Sequence, residues 1–203
     1  MNKISKKYNQ IYSDNKNVFR GGTPENIVKD ILKYKKSGSV LELGTGEGRN
    51  ALFLASRGFQ VTAIDISNQG IANLQDKAKE LGVTINAQVK DIENFKIESD
   101  FDVFISTYVF HHLRRPNVAQ LIQSMQDHTK TGGFHAIAAF TKDGDFYRND
   151  PETDKFYLNP GELQKLYAGW ETLNYAEREN KALATRPDGS PMVNIAAKIL
   201  ARK

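Results

Sequence analysis

A short apolar run, Val40-Leu41-Glu42-Leu43, ends directly in Gly44-Thr45-Gly46-Glu47-Gly48, and a helical pattern through Ala51, Leu52 and Leu54 follows at once. A strand that becomes a helix through glycines narrows the choice of fold more than any other feature of this chain. Glycine admits positive φ and lets the backbone approach a ligand where a side chain would stand in the way. Loops of this kind belong to open α/β sheets, which bind ligands beyond the carboxyl ends of their strands. The remaining sequence agrees. Strand-like stretches near 61–65, 83–90, 101–107 and 134–140 alternate with helical ones, which implies a mostly parallel sheet between two layers of helices.

Local signals set the expected boundaries. Thr23 is placed to cap a helix with Pro24 at its first position, an apolar stripe at Ile27, Val28, Ile31 and Leu32, and Gly38 at its end. Gly58 suits a helix C-terminus, a helix is expected from about Ser67 to Leu81, and another begins at Pro116. Asn159 and Glu162 form a candidate capping box. Two extended stretches, 170–178 and 192–201, flank the turn sequence Arg186-Pro187-Asp188-Gly189-Ser190 and should pair as an antiparallel hairpin at one sheet edge. The 203 residues fit a single domain, with residues 1–22 as an N-terminal arm and 141–159 as a long loop over an acceptor site.

The net charge of +4 raises the question of nucleic acid, but its distribution answers it. Residues 1–40 carry nine Lys and Arg against three acids, and the body of the chain is slightly acidic. No basic stripe runs through it, so no nucleic-acid partner is expected. No apolar run approaches the roughly 20 residues of a membrane span. Without cysteines the chain has neither disulfides nor thiolate metal sites, and its four histidines have no metal-ligand spacing. We expect a cytoplasmic monomer or homodimer, with no metal.

The loop's ligand can be narrowed. A dinucleotide loop reads G-x-G-x-x-G, whereas Arg49 stands here in the place of the third glycine. Glu42, at the end of the strand, is a poor neighbour for a pyrophosphate and suits a cationic or hydroxyl-bearing ligand such as the aminoacyl end of S-adenosylmethionine (SAM). Asp65 ends the next strand, where an acid accepts hydrogen bonds from both ribose hydroxyls. Asp91 follows the third strand within reach of an adenine amino group, and Ile92 is placed to pack on the ring. The expected cofactor set is Arg20, Glu42, Gly44, Thr45, Gly46, Arg49, Asp65, Ile66, Asp91, Ile92 and Thr107.

Taken with Phe101-Asp102-Val103 and Lys130-Thr131-Gly132-Gly133, these residues resemble the Rossmann-like class I SAM-dependent methyltransferases. The resemblance implies a three-layer α/β/α sandwich and seven strands in the order 3-2-1-4-5-7-6, with the last antiparallel. A narrower likeness rests on Gly46-Glu47-Gly48-Arg49-Asn50-Ala51-Leu52, Ile105-Ser106-Thr107, Gly161-Glu162-Leu163, Tyr167-Ala168-Gly169-Trp170 and Leu200-Ala201-Arg202-Lys203. These are similar to the tellurite-resistance methyltransferase family (TehB), which implies methyl transfer to tellurium and selenium oxyanions. Where that family carries a His-Arg pair ahead of the last turn, this chain has Leu183-Ala184, and Pro191 replaces a further Arg.

Candidate acceptor-side residues are His111, just after the fourth strand, Tyr147 and Arg148 in the long loop, and Arg186 in the turn. The arginines are expected to clamp an anionic acceptor. Two readings compete: an enzyme acting on a small-molecule acceptor, and a SAM-binding module that works through a partner.

Overall fold

The computed structural model describes residues 3–14, 22–150, 152 and 154–203. Strands β1 (Ser39–Leu43), β2 (Gln60–Asp65), β3 (Ile85–Val89), β4 (Phe101–Thr107), β5 (Thr129–Phe140), β6 (Glu171–Thr185) and β7 (Pro191–Arg202) form one sheet in the order β3-β2-β1-β4-β5-β7-β6. The first five pair in parallel, and β7 runs antiparallel to both β5 and β6. The carboxyl ends of β1, β2 and β4 therefore lie together at one edge of the sheet.

Helices cover both faces, because alternate residues of a strand point to opposite sides. Val40, Val61, Val103 and Ile105 pack with α2 (Asn26–Asp30), α3 (Arg49–Ala55) and α4 (Asn68–Glu80). Leu41, Leu43 and Phe104 pack with α5 (Arg115–Asp127) and α7 (Glu162–Leu166) on the other face. Burial on both faces explains why the central strands read as nearly continuous apolar runs. Ser67 caps α4, its hydroxyl accepting the Gly70 N–H at 3.0 Å.

Several boundaries differ from expectation. The first core helix begins at Asn26 rather than after Thr23, because the chain ahead of it is tied to α3. The Thr23 carbonyl accepts from Arg49, and the Glu25 N–H donates to Asn50 Oδ1 at 2.9 Å. Strand β5 begins at Thr129, and the Lys130–Gly133 segment loops out within it, where the register with β4 shifts. Strand β6 continues to Thr185 because β7 supplies partners down to Pro191. The capping box is half made: Glu162 accepts the Asn159 N–H at 2.7 Å, while Gly161 at φ +73° is the N-cap.

The long loop is packed rather than open. It contains the short helix α6 (Asp145–Arg148), and its later part buries Phe156 and Leu158 in the core beside Phe110 and Leu163. Within the expected N-terminal arm, Lys3–Asp14 form helix α1, which lies against α4. No helix among the described residues is long and apolar enough to cross a membrane.

Candidate active site

A cavity of about 1100 Å³ opens at the carboxyl ends of the parallel strands, floored by the glycine loop and bordered by α1. The loop is anchored to its neighbour strand by Gly44 N–H and Thr45 N–H, which donate to the Ile64 carbonyl at 2.8 and 3.0 Å. Gly44 has φ +72°, and a Cβ there would meet a Val109 methyl at 2.3 Å. Gly58, at φ +87°, has nothing within 4 Å of such a Cβ. Gly44→Ala is therefore expected to cost about 2–4 kcal/mol, backbone strain plus overpacking, and Gly58→Ala about 1–2 kcal/mol from strain alone. Urea unfolding of the pair checks this, and equal losses would refute the steric account.

Two buried carboxylates face the loop. Glu42 is 1% exposed and accepts from Thr45 Oγ1 at 2.8 Å and Asn50 Nδ2 at 2.9 Å. Burial pushes its carboxyl up to about 7, against the pull of those hydrogen bonds and of Arg49. Asp65 accepts from Gly46 N–H at 2.7 Å and Ser67 N–H at 2.8 Å, and burial raises its carboxyl too. Each oxygen retains lone pairs, so the site suits a ligand rich in donors, and a cation most of all. A pyrophosphate would meet two acids.

Thr45, Ile66, Asp91, Ile92 and Thr107 line the same cavity. Arg49 also lines it, but its guanidinium is held by the Thr23 carbonyl and by Glu25 at 3.0 Å. Arg20 lies outside the described residues. Of the acceptor-side candidates, only His111 reaches the cavity wall. Its Nδ1 has no hydrogen-bond partner among the described residues, and burial drives the imidazole well below its usual range, so the ring is neutral. Arg186 is bound instead to Asp145, at 2.9 Å through Nε and 2.8 Å through Nη2. Arg148 stands 3.9 Å from the same carboxylate, and Tyr147 packs edge-on against Tyr157. None of these three lines the cavity, though their neighbour Phe146 does.

Sequence reasoning missed the tyrosines of α1. Tyr8 Oη lies 2.7 Å from His112 Nε2, and the Tyr12 hydroxyl covers Gly46 closely. Burial lowers His112 to about 4, leaving Nε2 free to accept the Tyr8 proton. The signal was available: Ile4, Tyr8, Ile11 and Tyr12 recur at helical spacing, and all four line the cavity. The wall formed by Asn180, Lys181, Ala182, Leu183 and Ala184 of β6 was also unforeseen as such.

A seven-stranded sheet in this order, with a glycine loop and paired acids at its carboxyl edge, has the fold of the class I SAM-dependent methyltransferases. The chain belongs to the family of the tellurite resistance protein TehB, whose profile matches residues 4–194. It is 34% identical over 176 residues to a probable SAM-dependent methyltransferase TehB of Haemophilus influenzae, covering 87% of this chain and 61% of that protein. It spans about three fifths of the length of the curated TehB relatives it matches. The crystal structure of TehB from Haemophilus influenzae superposes with a TM-score of 0.80 at 30% identity, over 97% of this chain and 67% of that one. The N-methyltransferase NodS from Bradyrhizobium japonicum, in complex with S-adenosylhomocysteine (SAH), shares the fold at a TM-score of 0.71 and 14% identity, covering 100% of this chain and 99% of that one.

Proposed function

We propose that this chain transfers a methyl group from SAM to a small-molecule acceptor. The observation that carries this reading is the buried Asp65 carboxylate in the wall of the glycine-floored cavity, with Glu42, itself outside the lining, buried against Thr45 and Asn50, which do line it. Glu42 takes the ammonium of the methionine end, with Thr45 and Asn50 fixing its carboxylate. Asp65 takes the ribose hydroxyls, Asp91 the adenine amino group, and Ile66 and Ile92 sandwich the ring. Arg49 braces the loop through Glu25, Thr107 steadies Asn50 at 3.3 Å, and Arg20 is assigned to the cofactor carboxylate.

When bound, SAM supplies an electrophilic methyl on a sulfonium, so the protein's task is chiefly alignment and exclusion of water. Tyr8 and Tyr12 of α1 close the cavity on the cofactor side. Neutral His111 borders the acceptor space and is free to accept a proton from a protic acceptor.

Chalcogen oxyanions are the first acceptors to test, and weak turnover is expected. Leu183 and Ala184 offer them no charge, and Arg186 and Arg148 are drawn to Asp145 and do not line the cavity. Burial of an oxyanion without cationic partners is costly. Calorimetric titration should detect SAM and SAH but not NAD. A labelled-methyl assay over tellurite, selenite, thiols, amines and carboxylates then reports the acceptor. Tight NAD binding without SAM binding would overturn the cofactor assignment, and fast tellurite turnover would overturn the electrostatic one.

A further inference from the structure

Tyr108 follows β4 directly and has φ +61°, the only positive value outside glycine among the described residues. That region disfavours a bulky side chain, and such strain persists where surrounding contacts enforce it, often at functional sites. Three contacts enforce it here. The Tyr108 N–H donates to the Ala138 carbonyl at 2.8 Å, the ring lies 5.2 Å from Phe140, and Asn180 Nδ2 donates to the phenol oxygen at 3.3 Å. The side chain thereby meets the C-terminal hairpin while remaining part of the cavity wall.

Behind it stands Lys198 of β7, its Nζ 5.5 Å from the ring centroid. The ammonium is fixed 2.8 Å from Glu25, which is fully buried and also bonds Arg49 at 3.0 Å. Among the described residues, two cations, Lys198 and Arg49, flank this one carboxylate. Asn180 Nδ2 and the Lys198 ammonium both present protons toward the phenol, and neither nitrogen can take one from it. Burial and Glu25 push the phenol above its ordinary range, and Lys198 offsets this only in part, so the hydroxyl keeps its proton. The open cavity is where that proton can find an acceptor. The lining of that cavity includes apolar Phe140, Phe146, Leu183 and Ala184, together with the charged Lys181.

We infer that Tyr108 determines acceptor specificity: its hydroxyl, polarised by Lys198 and Asn180, donates to an anionic oxygen on a small acceptor with an apolar body. A compact oxyanion finds one donor here, whereas a carboxylate on an aryl or alkyl body is matched at both ends. The inference rests on the methyltransferase reading only in naming this side the acceptor's, and the contact itself is measurable without turnover.

Benzoate and benzamide share a shape and differ in charge, so the ratio of their affinities reads the contact. Titrated calorimetrically into SAH-saturated protein, benzoate is expected to bind about tenfold tighter than benzamide. Tyr108→Phe and Lys198→Met should each bring that ratio to about one and leave SAH affinity within about twofold, and Lys198→Arg should keep the preference. Should Lys198→Met fail to fold, Tyr108→Phe decides alone. Equal affinities in the wild-type protein, absence of binding by both probes, or a preference that survives Tyr108→Phe overturns the inference. If SAH itself does not bind, the cofactor reading falls, and the same ratio measured in the free protein still decides the anion contact.

Discussion

Replacing Asp65 with alanine is expected to weaken SAM binding by about 100-fold, close to 3 kcal/mol. Two losses combine. Ribose hydroxyls taken out of water lose their acceptor, at about 1–3 kcal/mol for groups left unsatisfied. The Gly46 and Ser67 N–H groups lose theirs as well, at 2.7 and 2.8 Å in the intact protein, so the glycine floor and the start of α4 are no longer held in register. Asp65→Asn keeps one oxygen and should fall between. Calorimetry on both variants checks the order, and an Asp65→Ala protein that binds SAM normally would place the ribose elsewhere.

The second large effect is on pH dependence. Glu42 sits at about 7 in the free protein because burial disfavours its charge. A cation bound beside it favours the carboxylate, so the group's pKa falls on binding and a proton leaves. Affinity is then greatest between about pH 7 and the ligand ammonium's own titration near about pH 8, and is lost as pH falls through about 7. A drop of about tenfold between about pH 7.5 and about pH 6 is expected for SAM. Glu42→Gln should bind more weakly at high pH and show little dependence on pH. If the variant retained the wild-type slope, another group would be titrating.

The glycine-loop half of the candidate site was legible because its elements are local. Strand, glycine turn and helix start occupy adjacent positions from Val40 to Leu54, and each acid sits at the end of its own strand. The acceptor half depends on contacts that span the sequence. Arg186 looked free to clamp an anion because Asp188, two positions on, belongs to the turn; its partner Asp145 lies 41 positions away and meets it only once the hairpin has folded. Tyr108 was equally obscure, since its role depends on a backbone angle and on Lys198, a residue of the last strand. Thr23 failed as a cap for the same kind of reason: a distant arginine holds its carbonyl.

The register between β6 and β7 shifts between Lys181 and Thr185, so Ala182, Leu183 and Ala184 border the cavity where the regular pairing is interrupted. Such an irregularity re-aims side chains and interrupts the ladder locally. The fold thus separates two kinds of inheritance. The parallel strands build the core and carry, at their carboxyl ends, the residues that line the cavity. The tip of the hairpin is a cantilever on which a side chain can change while the glycine loop and its two acids keep their places.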